Sequence, residues 1–351
     1  MTEAERPALV LQLGLGARGR KWAEISRSSP HVVPVGYVEP SAEARSWTSA
    51  QGFAEPVFPD LPAALRTVSA DLALVVTPPE GRAALVTTLL DHGMHVLAEK
   101  PLALALPDAL AMVRAAERTG RSLGVVQNFR YMPVNLTLRD MVQSGRYGAP
   151  TYATVLYIRN RDGHAPHLNK YPLVMDHPML LEQSIHHLDL LRFVYGAEVE
   201  EVTCTTWNPP GSRYRGDACA AALVRMRGGP MVVYHGTWVS GSDQLEFRWR
   251  TDCERGVIIQ RDLFGDLVEG AAADTELRPV TLAPAEPFMT DSARLLDDFI
   301  DACRRNRPFA SSGRDHLQTL ALTLACIESG QSGRPVSLSE FSQRWGVDSQ
   351  G

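Results

Sequence analysis

The stretch "ALVLQLGLGARGRKWAEI", residues 8–25, constrains the fold more than any other. An apolar run meets Gly14, Gly16 and Gly19 in G-x-G-x-x-G spacing and then becomes a helical pattern. A second strand, "VVPVGYVEP", ends at Glu39, twenty residues beyond Gly19. Strand, glycine turn, helix and strand in this order form the unit that binds a dinucleotide. The first glycine permits a tight turn, the second lets backbone approach a pyrophosphate, and the third lets helix and strand pack closely. The helix N-terminus then faces the anion, and an acid at the second strand's end receives the ribose hydroxyls. The loop Gly14, Leu15, Gly16, Ala17, Arg18, Gly19, with Glu39, is therefore the candidate cofactor site. A carboxylate there repels a 2′-phosphate, which favours NAD over NADP, although Arg45 can turn back toward such a phosphate.

The alternation continues. Residues 70–79, "ADLALVVTPP", read as a buried strand ending in Thr77, Pro78 and Pro79. A helix stopped by Gly93, a strand ending in Glu99-Lys100-Pro101, a helix stopped by Gly120 and the strand in "SLGVVQNFRYMP" follow. Short strands between helices predict a doubly wound parallel sheet, whose ligands bind beyond the carboxyl ends of the strands. Gly14, Glu39, Thr77, Lys100 and Asn128 all fall at such ends.

After Pro150 the pattern changes. A strand, "TYATVLYIRN", is followed by a polar loop over 161–178 and by the helical stretch "LLEQSIHHLDLLRFVYG". From about residue 198 the runs alternate with period two, as in a mainly antiparallel sheet, and two late helices close the chain. The expected architecture is α/β: an N-terminal Rossmann domain, 1–126, and a C-terminal α+β domain with a large, mainly antiparallel open sheet, 127–351.

Composition fits that plan. The 351 residues are 44% hydrophobic and 21% charged, enough for two ordinary domains with sizeable cores. A net charge of -5 gives no reason to expect a nucleic-acid partner, and no apolar run reaches the roughly 20 residues of a membrane helix. The five cysteines are scattered without a C-x-x-C, and the acidic start lacks a cationic leader segment, so a cytoplasmic protein with reduced thiols is expected.

On an α-helix Glu182, His186, Asp189 and Phe193 share one face, and His187 points about 100° away. Glu182 and His186 could ligate zinc, but a site needs further ligands and no His/Cys cluster supplies them, so no metal is expected. A pair of buried, hydrogen-bonded histidines is the plainest alternative, and it is the reading preferred for His187. Where a hydroxyl proton has to be moved, an imidazole titrating near ~6.5 does so at neutral pH. An ammonium beside the same oxygen, as from Lys100, steadies the developing alkoxide, and Glu182 can orient the ring.

The motifs "GLGARG", "TPP", "HVLAEKPLA", "NFRYMP", "EQSIHHLDLLRFVYG" and "SSGRDHLQTLALTLACIESGQSGRPVSL" together resemble the glucose–fructose oxidoreductase, inositol dehydrogenase and MocA (Gfo/Idh/MocA) family over nearly the whole chain. The resemblance implies NAD(P)-linked chemistry at a carbinol carbon of a sugar or cyclitol, with Lys100 and His186 catalytic. It also implies a cis bond before Pro101 and oligomers, dimers or tetramers, built through the open sheet. By the same matching Arg130 and Asp189 become candidates for hydroxyl binding. Tyr157, His164, His167 and Trp238 are candidates for lining the pocket, although Trp238 suits a sheet core equally well. Two departures stand out: Glu182 where most dehydrogenases of the family have Asp, and Arg82 where many have His, the latter expected at the cofactor rim. Two other activities fit the same motifs: glycoside cleavage through transient oxidation by a retained NAD, and non-catalytic NAD sensing.

Overall fold

The computed structural model describes residues 6–161, 163–165 and 168–347; His167 lies outside the described residues. The chain opens with β1 (Ala8–Leu13), α1 (Ala17–Ser28), β2 (Val32–Val38), α2 (Ala42–Ala50), β3 (Val57–Phe58) and α3 (Leu61–Leu65). It continues with β4 (Leu72–Val75), α4 (Arg82–Asp91), β5 (His95–Glu99), α5 (Leu106–Thr119), β6 (Leu123–Val126), α6 (Pro133–Gln143) and β7 (Pro150–Ile158). A π-helical segment, Met179–Ser184, runs into α7 (Ile185–Tyr195). Then come β8 (Val199–Trp207), β9 (Cys219–Met226), β10 (Met231–Thr237), β11 (Glu246–Cys253), β12 (Gly256–Gln260), β13 (Leu267–Ala271) and β14 (Arg278–Pro279). The described chain closes with α8 (Thr290–Arg305), α9 (Gly313–Ser332), β15 (Val336–Ser337) and α10 (Leu338–Trp345).

Contacts divide the chain into two compact units. The first takes the chain up to Asn128 together with Phe288–Leu317; the second takes Phe129–Pro287 and the chain from Gln318 onward. In the first, six parallel strands lie in the order β3-β2-β1-β4-β5-β6. The order reverses between β1 and β4, which is where a doubly wound sheet opens a crevice for a ligand. Leu11, Leu74, Val96, Leu97 and Val125 are fully buried, which accounts for the unbroken apolar runs that mark these strands.

A division at 126/127 assigns Phe288–Leu317 to the second domain, whereas these residues pack with the first. The free side of β6 explains this. Val125 bonds to that segment through both its backbone groups: its N–H donates to the Ser311 carbonyl (2.8 Å), and its carbonyl accepts from the Ser311 hydroxyl (2.7 Å). Gly124 leaves room for the Phe299 ring of α8: a Cβ there would stand 2.8 Å from it. An edge strand needs its open side covered, and a segment far along the chain covers it.

In the second unit nine strands lie in the order β14-β13-β12-β11-β7-β10-β9-β8-β15, antiparallel at every pairing except β7 with β10. The alternation along β7 to β11 puts Val155, Tyr157, Tyr234 and Trp249 on the buried face and Tyr152, Leu223 and Val233 on the exposed one. The buried face receives α7, with Tyr195 Oη accepting from Trp249 Nε1 (3.0 Å) and His187 packed on Tyr157 and Tyr234.

Candidate functional site

In the first unit the glycine loop is held from below. Gln12, buried in β1, donates from Nε2 to the carbonyls of Gly14 (2.9 Å) and Gly19 (2.7 Å). Gly14 sits at φ +100°, and a Cβ on it would stand 2.7 Å from the Val76 carbonyl oxygen; a Cβ on Gly19 would collide with the Gly14 carbonyl. Leu15 turns into the core with Ala23 and Tyr37. Gly16 and Ala17 are exposed where α1 begins, and no side chain caps that first turn. Glu39 lies at the end of β2, where its carboxylate accepts from the Leu15 N–H (2.8 Å) and the Ser41 N–H (2.9 Å). Arg45 is occupied elsewhere, donating to the carbonyls of Glu39 (2.9 Å) and Pro40 (2.6 Å).

Beyond β4 the Thr77 hydroxyl is buried without a hydrogen-bond partner; Pro78 is exposed and Pro79 buried. Beyond β5, Glu99 Oε1 accepts from Arg18 Nε (2.7 Å) and Trp22 Nε1 (2.8 Å). Burial alone would raise the Glu99 carboxyl, but Arg18, Trp22 and Lys100 outweigh it and hold it below the usual range. Arg18 also donates to Ser292 Oγ (2.8 Å) and stacks over Trp22. Lys100 is half-buried at the strand end, and the Lys100–Pro101 bond is cis. Asn128 follows β6 and donates to Asp291, whose carboxyl is raised by burial against the pull of Asn128 and Arg18.

Arg82, expected at the cofactor rim, is instead almost wholly buried at the start of α4. Its guanidinium donates to the carbonyls of Thr77, Glu99 and Pro101. A guanidinium carries five N–H donors in a planar fork, and three converging carbonyls draw it inward where a rim would leave those oxygens unsatisfied. These strand ends fit a bound dinucleotide. They offer an uncapped helix start for the pyrophosphate, a fixed carboxylate for the ribose and an unpartnered buried hydroxyl at Thr77.

In the second unit α7 carries two histidines in different settings. His186 stacks on Phe129, centroids 4.2 Å apart and planes 11° apart. His187 is fully buried, with Nδ1 3.1 Å from Tyr234 Oη and Nε2 3.3 Å from the Gln183 amide. Tyr234 donates to Ser184 Oγ (2.7 Å), so the proton between the two rings belongs to His187 Nδ1. Burial pushes the His187 pKa down to about 3. Glu182 lies in the π-helical segment, not on a continuous α-helix with His186, so ideal α spacing does not carry from one to the other. Its carboxylate accepts from Tyr171 Oη (2.6 Å). π-segments inside helices occur often at functional sites.

Asp189 and Arg130, expected to bind hydroxyls, are buried against each other in a bidentate pair, 2.6 Å at both bonds. Thr319 Oγ1 donates to the same carboxylate (2.8 Å), so Asp189 acts within the protein to lock α7. Tyr157 and Trp238 are also core rather than lining: Tyr157 packs on His187 (5.1 Å), and Trp238 lies beneath the Arg161 guanidinium (4.3 Å) beside Tyr214. His164 is exposed. Among the described residues no three His, Cys, Asp or Glu side chains gather as a metal-holding group, and no helix is long and apolar enough to cross a membrane. Gln12, Tyr171 and Thr319 escaped the sequence reading. Only Gln12 left a signal, a polar residue inside an apolar strand.

Comparison with known proteins agrees with this geometry. Residues 9–127 match the model of an oxidoreductase family with an NAD-binding Rossmann fold, and residues 135–259 match the GFO/IDH/MocA C-terminal domain. A D-apiose dehydrogenase of Paraburkholderia graminis is 27% identical over 314 residues, 82% of this chain and 78% of its own length. An inositol 2-dehydrogenase of Rhizobium meliloti is 25% identical over 279 residues, 77% of this chain and 81% of its own. The crystal structure of an oxidoreductase from Agrobacterium radiobacter in complex with NAD+, L-tartaric acid and magnesium has a TM-score of 0.85 at 20% identity. It covers 95% of this chain and 99% of that one, a likeness of fold.

Proposed function

Because this chain belongs to the Gfo/Idh/MocA family of NAD-binding oxidoreductases, we propose that it moves hydride between nicotinamide and a carbinol carbon of a sugar, sugar derivative or cyclitol. The observation that carries this reading is the row of strand ends in the first unit. The glycine loop, Glu39, Thr77 and Lys100 follow β1, β2, β4 and β5 at the carboxyl edge of one parallel sheet. NAD, when bound, supplies the hydride acceptor. In the oxidative direction His186 takes the hydroxyl proton of the substrate, and the Lys100 ammonium steadies the alkoxide as that proton leaves. Glu182, held by Tyr171, places negative charge on the segment leading into α7. Stacking on Phe129 restricts the His186 ring to one plane. The sugar-acting and cyclitol-acting relatives support a polyhydroxylated substrate.

The test is incubation of the protein with NAD and a panel of aldoses, glycosides, uronates and inositols, following absorbance at 340 nm and products together. NADH formed in step with a ketone or lactone supports the reading. Cleavage of glycosides without NADH, or NAD binding with no turnover on any member of the panel, overturns it.

A further inference from the structure

We propose that Arg82 is a positioning residue for Lys100: with His316 it fixes the turn from which the lysine projects. This inference rests on the role given to Lys100 above. Lys100 lies between two peptide units whose carbonyls, those of Glu99 and Pro101, both accept from Arg82. The same guanidinium reaches the Thr77 carbonyl at the end of the neighbouring strand, so one side chain ties the end of β4 to both flanks of Lys100. From the other side, His316 of α9 accepts the Leu102 N–H at Nε2 (3.3 Å), while its Nδ1 lies 3.2 Å from the Gln127 amide. An Nε2 that accepts an N–H carries no proton, so this imidazole holds the turn as a neutral ring. Arg82 and His316 are both almost completely buried. Four backbone groups at and beside the lysine's turn are thereby held by two buried side chains.

Burying a guanidinium costs several kcal/mol unless its donors are met, and an aliphatic side chain would fill the start of α4 with less penalty. What an aliphatic side chain cannot do is fix three carbonyls at once. The precision matters because a displacement of about 1 Å at a reacting group can cost about 10²-fold in rate. The lysine's own reach is long and flexible, so the direction of its Cα–Cβ bond decides how much of its rotamer space is productive.

Arg82→Lys retains the buried charge but loses the fork, and Arg82→Ala loses both. For each, kcat, KM, the dissociation constant for NAD and the thermal midpoint are measured. We expect kcat to fall about 10- to 100-fold, with NAD affinity changed less than threefold, and turnover of Arg82→Ala to recover partly on adding guanidinium at millimolar concentration. The deciding experiment adds Arg82→Lys to a Lys100→Ala background. A residue that acts through Lys100 has nothing left to position there, so the residual rate should not fall further. A full additional loss in that background, or a folded Arg82→Lys with kcat within twofold of the parent, overturns the proposal. Lys100→Ala alone tests the underlying reading separately: near-native turnover in that variant removes the role of Lys100 itself.

Discussion

His187 is surrounded by the rings of Phe129, Tyr157, Tyr234 and Phe247, with centroids 5.1–6.4 Å away, while its neighbour His186 stacks face to face on Phe129. That enclosure marks His187 as a structural imidazole. A group held near pKa 3 is neutral through the physiological range and cannot shuttle protons there. His186→Ala should therefore lower turnover by about 10²–10⁴ and remove the pH-dependent limb, with NAD binding retained. His187→Ala should leave chemistry largely alone and cost about 1–3 kcal/mol of stability, because Tyr234 and Gln183 lose their partner. Inactivity of His187→Ala with a normally active His186→Ala would reverse the assignment. Burial of His187 also has a pH consequence. Between about pH 6.5, where an unfolded histidine titrates, and the folded value near 3, the unfolded chain binds the extra proton. The stabilisation from keeping His187 neutral is complete above about pH 6.5 and declines as pH falls toward 3, by about 1.36 kcal/mol per unit within that window. His187→Phe should flatten the fall of thermal midpoint between pH 6.5 and pH 4.5. An unchanged slope would place the acid sensitivity elsewhere.

At the scale of elements, a prediction about cofactor choice rests on the end of β2. Both Glu39 carboxylate oxygens are anchored by backbone N–H groups, so the charge stands fixed beside the loop, and Arg45 is directed to backbone carbonyls. A 2′-phosphate brought there meets a fixed carboxylate, with Arg45 already bonded to backbone carbonyls. We expect kcat/KM to favour NAD over NADP, and Glu39→Ser to narrow that ratio at least tenfold; a native preference for NADP would displace Glu39 from the ribose. Much of this element was legible because its chemistry is local: the glycines, the strand before them and the acid lie within one βαβ unit. The π-helical segment was not. A turn closed by i→i+5 bonds contains the same apolar residues as one closed by i→i+4, and nothing in "MLLEQS" distinguishes them. The two-residue strands β3, β14 and β15 are too short for alternation to register, and α2, α3 and α6 drew no reading from their mixed residues.

Over the whole molecule, legibility fails where partners are distant in sequence. Asp189 lies 59 residues from Arg130 and 130 from Thr319. Asp189 and Arg130 were both candidates for substrate, because single-sequence patterns report burial but not who meets whom. The open sheet is the reverse case, since alternation alone exposes one of its faces. The register confirms that Tyr152, Val233, Leu223 and Trp207 all stand on that face: Met231 opposes Tyr152, Val233 opposes Leu223, and Trp207 stacks on His235. They are 38–45% exposed, high for large apolar side chains that converge on one surface. Singly, such residues on a monomer need no explanation; several on one flat sheet face favour association. A stable interface buries about 1,200–2,000 Å² in total, an area that a face of nine strands can supply from each copy. Sedimentation at micromolar concentration should therefore give a dimer or tetramer. Leu223→Asp with Val233→Asp should dissociate it, since each copy would bring like charges to the centre of the contact. NAD affinity should survive the substitutions, because the glycine loop and Glu39 belong to the first unit and both replaced residues to the second. A parent protein that sediments as a monomer, or a double variant that stays assembled, would rule out this face as the interface.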